Sequence, residues 1–363
     1  MHSQRPKLAD QIHRELLEGI ESRRWEGTLP KERNLADDLH VSRSTLRQAL
    51  HRLRTAGVLE TVHSKGNRIR STAAIRPASK KHRLVVNILV PSATWRLRNS
   101  PLNWTDQLRA QLAAEGCEMH ILHGESCYSK KPERALENLL RRNPCDCWLV
   151  RLSTLPLQQW LEKRGVPAVL AGTPFPGIHL PFIDVDQRAV ARHATGLILA
   201  AGHRRIALLM DKESKAGDIE MEIGFAEAIR ASPNRTDIQM QTYRYESNVD
   251  GIIRTLDGMI RRKERPTALQ MPNANYCMTI WSYLGRQGMR IPEDMSVVAQ
   301  VGPMELSYLT PEPTYYILNV SAYAQKLTRA ILAQIEGGVV PPHPPIFPEL
   351  VRGGSLGPPP HAV

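Results

Sequence analysis

The sequence predicts a chain of two parts: a small α+β head of three helices and a β-hairpin, and a larger α/β body of two lobes with parallel sheets. Three observations support this fold class. Positive charge concentrates near the N-terminus, since residues 1–83 hold 18 Lys and Arg against 9 Asp and Glu, a net of +9 out of +12 for all 363 residues. The apolar residues of that segment recur at helical spacing. Beyond it, short apolar runs typical of strands alternate with helical stretches.

Helical periodicity covers the first half of the head. The first helix has apolar residues at four-residue intervals, which gives it one buried stripe. These residues are Leu8, Ile12, Leu16 and Ile20. A second, short helix follows Pro30, and Ser42 is placed to cap a third helix by accepting a bond from a backbone amide. The third helix has an apolar face spaced i, i+3, i+4, i+7, formed by Leu46, Ala49, Leu50 and Leu53.

The polar face of the third helix carries the functional prediction. After Gly57 the sequence reads as two short strands joined by a tight turn, in which Gly66 can take positive φ. Three helices and a basic hairpin form a winged helix-turn-helix, whose third helix enters the DNA major groove, where an arginine can bind guanine through two hydrogen bonds. The side chains predicted to face the groove are Arg43, Ser44, Thr45 and Arg47. The alternative is a protein-interaction module with a solvated basic face.

Residues 29–69, LPKERNLADDLHVSRSTLRQALHRLRTAGVLETVHSKGNRI, resemble the DNA-binding head of the GntR family of bacterial regulators. The likeness covers nearly all of residues 8–70 and rests on the LPKER segment, the valine-serine-arginine-x-threonine-x-arginine run and the glycine of the wing. Lys31 stands where the family usually has serine, which removes a good helix cap and adds a charge that can meet phosphate. The resemblance implies DNA contact from Arg33, Arg43, Ser44, Thr45, Arg47, His63, Lys65 and Gly66.

The body alternates strand and helix twice over, which predicts two successive lobes with parallel sheets. Ligands bind at the carboxyl ends of such strands, and two lobes form a cleft. We predict a DNA-binding domain in residues 1–75, a linker in residues 76–83, and an effector-binding and dimerisation domain in residues 84–363.

Four segments of the body resemble the LacI type of regulator, whose effector domain is built like a periplasmic sugar-binding protein. They are VDQRAVARHATGLILAAGHRRIALL, GFAEAI, RPTALQMPNANYCMTIWSYLGRQGMRIPEDMSVV and PELVRGGSLGPP. Residues 84–183 match only in their rhythm of strand and helix. A GntR head on such a body is the arrangement of arabinose-responsive GntR regulators. It implies operator DNA, a small effector (a sugar or a related molecule) and a second identical subunit as partners, and regulation of transcription, as a repressor.

The body departs from LacI-type sugar binders at three places. Met221 replaces an arginine, Asn273-Ala274-Asn275 replaces an asparagine-aspartate pair, and Ala299-Gln300-Val301-Gly302 replaces a glycine-phenylalanine-aspartate ending. Without those charged groups we expect neutral amide hydrogen bonds to dominate and simple sugars to bind weakly. The alternative is a degenerate pocket in a ligand-independent DNA-bound dimer. The strand ends give these candidate effector contacts: Trp95, Asp184, Asp211, Met221, Glu222, Asn273, Asn275, Tyr276 and Gln300.

Other functional classes have little support in the sequence. Asp184 and Asp186 could form an acid/base pair, but no nucleophile or metal set accompanies them. Some GntR proteins carry a pyridoxal-phosphate enzyme body, which needs a Schiff-base lysine, whereas most lysines of this body lie in charged, surface-like stretches. Five scattered cysteines indicate a reducing compartment and no structural zinc. We therefore expect no enzyme activity, no cofactor, no metal, no membrane segment and a place in the bacterial cytoplasm, at the nucleoid.

Overall fold

The computed structural model forms two compact units, Met1–His82 and Arg83–Val363, called here the head and the body. The residues that the structure describes are 12–13, 15–16, 19–20, 24–25, 27–39, 41–55, 57–62, 66–70, 84–91, 102–271, 274–302, 304–338, 340 and 344–360. Within these ranges, none of the helices has the length and apolar character needed to cross a membrane.

The head contains the predicted helices around one apolar core. Its elements are α1 (Glu32–Asp38), α2 (Arg43–Thr55), β1 (Leu59–Val62) and β2 (Gly66–Ile69). An earlier helical stretch contributes Ile12, Leu16 and Ile20, each almost fully buried, whereas Leu8 lies outside the described residues. The predicted apolar face of α2 is confirmed, because its four apolar residues have no exposed surface.

The start of α2 is fixed by a serine cap. The Ser42 Oγ accepts a hydrogen bond from the backbone amide of Thr45 at 3.2 Å, as predicted. This bond satisfies one of the amides that every helix leaves unpaired at its N-terminus. By contrast, α1 begins after Lys31, whose side chain makes no capping bond.

The missing cap at Lys31 gives a stability prediction. Lys31→Ser should stabilise the head by about 1 kcal/mol, because a serine hydroxyl can accept from a first-turn amide and a lysine cannot. Urea unfolding of residues 1–82 would measure the change, with Lys31→Ala as the control that removes the charge without adding a cap. Equal stability of the serine and alanine variants would contradict the capping explanation.

The wing is an antiparallel hairpin, and a third chain segment pairs with its second strand. In the hairpin β1 pairs with β2, from Leu59 opposite Ile69 to Val62 opposite Gly66. Thr28 adds a bridge to Arg68 on the other side of β2. Gly66 has φ +83°, as the turn prediction requires. The turn residues His63 and Lys65 lie outside the described residues.

The first lobe of the body is a parallel sheet with helices on both faces. Its strand order is β4-β3-β5-β6-β7. The strands are β3 (Leu84–Val90), β4 (Cys117–His123), β5 (Cys147–Arg151), β6 (Ala168–Ala171) and β7 (Phe182–Ile183). Helices α3 (Leu102–Ala114) and α10 (Val320–Ile335) cover one face, and α4 (Glu133–Arg142) and α5 (Leu155–Arg164) cover the other.

The second lobe repeats this plan with one antiparallel edge strand. Its strand order is β13-β12-β11-β10-β8-β9, in which only the pairing of β13 with β12 is antiparallel. The strands are β8 (Arg205–Asp211), β9 (Gln239–Tyr245), β10 (Ala268–Met271), β11 (Ser296–Val301), β12 (Thr314–Ile317) and β13 (Glu349–Val351). The helices are α6 (Gln187–Ala200), α7 (Ala216–Ala231), α8 (Val249–Ile260) and α9 (Cys277–Arg286). The two sheets and their alternation are as predicted, except that β12 was not predicted.

The chain crosses between the lobes more than once. It passes from the first lobe to the second between β7 and α6, and returns to the first between β12 and α10. It enters the second lobe again before β13, and close to this third crossing Ile346 forms a parallel bridge with Val185. The carboxyl ends of β5 and β6 and those of β8 and β9 thereby face one cleft.

A buried histidine anchors the C-terminal segment to the second lobe. His203 is fully buried; its Nε2 lies 2.9 Å from the Gly357 carbonyl, to which it must donate, and its Nδ1 lies 2.8 Å from the Thr267 hydroxyl. Burial is the main cause that lowers the pKa of His203 below its ordinary value, and the neighbouring Arg204 charge adds to it. The neutral imidazole is thus the form that stabilises the fold.

This histidine predicts loss of stability in mild acid. Since the folded pKa lies below the unfolded one, about 6.5, the unfolded chain takes up the proton first, and stability falls as the pH drops through that value. The melting temperature of residues 83–363 should therefore decrease between pH 7.5 and pH 5.5. His203→Gln keeps an N–H donor but cannot titrate in this range, so its decrease should be smaller. An equal decrease in both proteins would contradict the assignment to His203.

Candidate functional site

The N-terminal end of α2 presents a polar surface on the head. Arg43, Ser44 and Arg47 are exposed and Thr45 is half-buried, as a groove-facing surface requires. The Ser42 Oγ lies 2.8 Å from the Ser44 hydroxyl and 2.8 Å from that of Thr45. These hydroxyls are therefore held together at the helix start, beside the arginines.

Arg47 is tied to the preceding helix. Its Nε donates to Glu32 Oε2 at 2.9 Å, although the Arg47 side chain is 60% exposed. The other carboxylate oxygen of Glu32 lies 4.0 Å from an Nη of Arg54. Arg33, the next residue of α1, is exposed. Sequence reasoning identified Arg33 and Arg47 but not the glutamate that joins α1 to α2.

The body contains a cavity of about 450 Å³ between the strand ends of its two lobes. This volume is in the range of pockets that hold small molecules. Its lining combines charged, hydroxyl and aromatic side chains. The described side chains of these kinds in the lining are Trp104, Arg151, Ser153, Thr173, Asp184, Asp211, Glu213, Lys215, Asp218, Tyr245, Ser247 and Tyr323.

The structure brings three of the predicted effector contacts together, Asp184, Asp211 and Met221, all in the lining of this cavity. Trp95 and Asn273 lie outside the described residues, as does the side chain of Asn275.

Three predicted contacts lie elsewhere, which corrects the candidate set. Glu222 pairs with Arg244 through both carboxylate oxygens, at 2.7 and 2.8 Å. Tyr276 is buried edge-on against Tyr245, with ring centroids 5.3 Å apart. Gln300 is buried in β11 and does not line the cavity. Glu222 lies within α7 and Tyr276 directly before α9, so the turn of a helix, which the sequence order of strands does not show, sets the direction of both side chains.

The carboxyl end of β5 supplies the cavity's guanidinium. The Arg151 guanidinium carbon lies 4.9 Å from the Trp104 ring centroid, a cation–π arrangement. Burial lowers the pKa of Arg151. The next residue, Leu152, has φ +50°, a conformation that costs a leucine energy and recurs at ligand sites. Sequence reasoning missed Arg151, although an arginine directly after the buried run CWLV was a visible signal.

A buried glutamine joins the two loops of the first lobe that line the cavity. Gln158 is fully buried, and its Nε2 donates to Ser153 Oγ at 2.8 Å and to the Thr173 carbonyl at 3.3 Å. Its Oε1 accepts from the Phe175 amide at 2.8 Å. The loops after β5 and β6 are thus fixed relative to each other before any ligand binds.

Asp184 and Asp186 have different roles, so they do not form the acid/base pair considered from sequence. Asp184 lines the cavity, where it accepts from the Thr173 hydroxyl at 2.5 Å and from the Val185 amide at 2.7 Å. Burial raises the pKa of Asp184, and these hydrogen bonds oppose the increase. Asp186 caps α6 by accepting from the Ala189 amide at 2.8 Å.

The second lobe contributes acidic side chains to the cavity wall, from the end of β8 to the first turn of α7. Residues Asp211, Glu213 and Asp218 line it together with Lys215. Asp218 accepts from the Lys215 backbone amide at 2.8 Å. Its pKa is raised, first by burial and then by the nearby carboxylates of Asp211 and Glu222. The expectation of a cavity dominated by neutral amides is therefore wrong, because charged groups enter from β5 and from the loop after β8.

Two family models match separate parts of the chain. Residues 8–69 match the gntR family of bacterial regulatory proteins, and residues 195–356 match the periplasmic binding protein-like domain. The chain joins a GntR-type head to a LacI-type body. The GntR match covers the head surface that holds Arg43 and Arg47, and the second match covers most of the second lobe.

Relatives of this GntR-headed chain are regulators of transcription. The transcriptional regulator CelR of Thermobifida fusca is 26% identical over 192 residues, 52% of this chain and 55% of that protein. The repressor CytR of Escherichia coli is 24% identical over 186 residues, 49% of this chain and 52% of CytR. The chain thus spans about half the length of these relatives. The regulator AglR of Rhizobium meliloti is 23% identical over 345 residues, 90% of this chain and 94% of AglR.

Solved structures show the same fold for the LacI-type body. A LacI-family regulatory protein from Chloroflexus aggregans has a TM-score of 0.65 at 19% identity, covering 75% of this chain and 98% of that one. The regulator CcpA of Lactococcus lactis has a TM-score of 0.64 at 15% identity, covering 75% and 99%. At such identities the likeness extends to the fold alone.

Proposed function

We propose that the chain is a sequence-specific DNA-binding transcriptional regulator, acting as a repressor, whose operator binding is controlled by a small molecule in the cavity of its body. One observation carries this proposal. A helix with a fully buried apolar face exposes Arg43 and Arg47 in a GntR-type head, on the same chain as a LacI-type body with a charged cavity.

The head has the chemistry for reading DNA. Arginines at the start of a helix that enters the major groove can contact guanine edges, and exposed basic residues around them neutralise phosphate. Arg33, Arg43, Ser44, Thr45 and Arg47 are the proposed contacts on the helices. His63, Lys65 and Gly66 are those proposed for the wing, of which Gly66 begins β2.

The cavity favours a ligand that carries several hydroxyl groups. The Arg151 guanidinium donates hydrogen bonds, whereas the carboxylates of Asp184 and Asp211 accept them, so a polyol can bond to both walls. Each charge-assisted bond contributes about 1.5–3 kcal/mol. Trp104 and Tyr323, whose rings meet edge-on at 5.5 Å, add apolar surface. A sugar or sugar derivative is the effector class that this lining supports, and the charged lining argues against a degenerate pocket.

Selection from a randomised double-stranded DNA library tests the first half of the proposal. The full chain should enrich one sequence, and Arg43→Ala should abolish or change that preference. A chain that binds all duplexes equally, or none, would contradict the proposed function.

A thermal-shift screen of monosaccharides, disaccharides and nucleosides tests the second half. A compound bound only by the folded state raises the melting temperature. The expected hit raises it in the wild-type chain and much less in Arg151→Met, which keeps an unbranched side chain but removes the guanidinium and its charge. The absence of any hit among polyols, together with intact DNA selection, would favour the ligand-independent DNA-bound dimer.

We further propose a cytoplasmic homodimer that forms through the bodies, because operators read by helix-turn-helix proteins are usually two-fold symmetric. Light scattering of residues 83–363 should give about twice the mass of the single body. A monomer at micromolar concentration would contradict dimerisation through this domain.

A further inference from the structure

Glu32 lies where it can control how Arg47 meets DNA. The Glu32 carboxylate accepts from Arg47 Nε at 2.9 Å and has its second oxygen 4.0 Å from Arg54. It therefore joins the first residue of α1 to the helix that presents the groove-facing arginines. The resemblance and the strand-and-helix pattern assigned no role to this side chain.

The chemistry of the contact leaves the tip of the arginine available. An arginine has one N–H on Nε and four on its two terminal nitrogens. The bond to Glu32 uses only the Nε hydrogen, so it does not consume the terminal N–H groups that can bind O6 and N7 of a guanine. An arginine held at its Nε also has fewer orientations to lose when it binds.

We infer that Glu32 is a positioning residue that orients Arg47 for one guanine and so raises the sequence specificity of the head, a role that rests on the proposed function of DNA binding. In free solution the pair contributes little to stability, because the Arg47 side chain is 60% exposed and the Glu32 side chain 29%. In the groove, displacement of water strengthens the same contact.

The negative charge of Glu32 gives the inference a distinctive signature. A carboxylate near the phosphates opposes binding to every duplex equally, since that repulsion carries no sequence information. Removal of Glu32 should therefore strengthen binding to unrelated DNA, while it weakens the preference for the selected sequence. A residue with a purely structural role would lower both affinities together.

The experiment compares full-length variants on two duplexes, the sequence enriched from the randomised library and a scrambled version of it. Glu32→Ala should lower the ratio of specific to non-specific affinity about tenfold, with the loss concentrated at one guanine position. Glu32→Gln, which can still accept from Nε, should recover part of the ratio. Because Glu32→Gln preserves the size of the side chain, it also tests the inference if the alanine variant is unstable.

Two controls separate the effect of positioning Arg47 from the effect of removing a negative charge. Asp38→Ala removes the same charge from the exposed, opposite end of α1, so it should raise both affinities and leave their ratio unchanged. In an Arg47→Ala background, Glu32→Ala should have no further effect on the ratio, because the two side chains act as one unit.

Three outcomes would overturn the inference: an unchanged ratio in both Glu32 variants, an equal loss of ratio in Asp38→Ala, or a full further loss in the Arg47→Ala background. If the wild-type chain enriches no sequence at all, the proposed function itself fails, which is a different result.

Discussion

Gly224→Ala is expected to destabilise the body by about 3 kcal/mol, because two helices pack backbone to backbone at this residue. A Cβ added to Gly224, in α7, would overlap the carbonyl oxygen of Arg188, in α6. Both groups belong to helical backbone, so neither can move without shifting its helix. The two helices hold Gln187 and Met221 in the cavity wall, and the substitution should weaken effector binding as well.

A second helical glycine, Gly258, provides a matched control for this prediction. Gly258 lies in α8 and is exposed, and a Cβ added to it would meet nothing within 4 Å. Gly258→Ala should therefore stabilise the body by about 0.5–1 kcal/mol, through the better helix propensity of alanine. Urea unfolding of residues 83–363 measures both variants. A loss below about 1 kcal/mol in Gly224→Ala would show that the helices separate easily.

Arg47→Ala should cost about 1–3 kcal/mol of specific DNA affinity, concentrated at one base position. The reason is that Arg47 is exposed on the polar face of α2, opposite the buried leucines. Lys65→Ala, in the wing turn, should instead weaken binding evenly across sequences, as the loss of a phosphate contact does. Fluorescence anisotropy on the selected duplex and its single-base variants distinguishes the two patterns. An equal loss of specificity in both variants would contradict the division of roles.

The head was predictable from sequence because its signals are local. Four apolar residues at helical spacing fix the buried face of α2, and the side chains opposite them must be exposed. Ser42 lies directly before the helix that it caps. The bond between Arg47 and Glu32 was not predictable in this way, because it joins residues 15 apart through the angle between two helices.

The cavity was predictable only in part, because it forms from strand ends that are distant in sequence. Asp184, Asp211 and Met221 were found by their places after strands or on α7. Arg151 and Trp104 come together only when β3 and β5 are neighbours in the sheet, which sequence spacing does not show. The direction of Gln300 was not predictable, because the register of β11 against β12 is irregular between Val298 and Val301.

The linkage between the two sites tests the central proposal most directly. Anisotropy of the selected duplex is measured against the full chain at increasing concentrations of the compound found by thermal shift. We predict that saturating compound weakens DNA binding about 5- to 150-fold, the usual size of such coupling. Arg151→Met should need at least about tenfold more compound for the same effect. Undiminished DNA affinity in a chain saturated with the compound would contradict effector control.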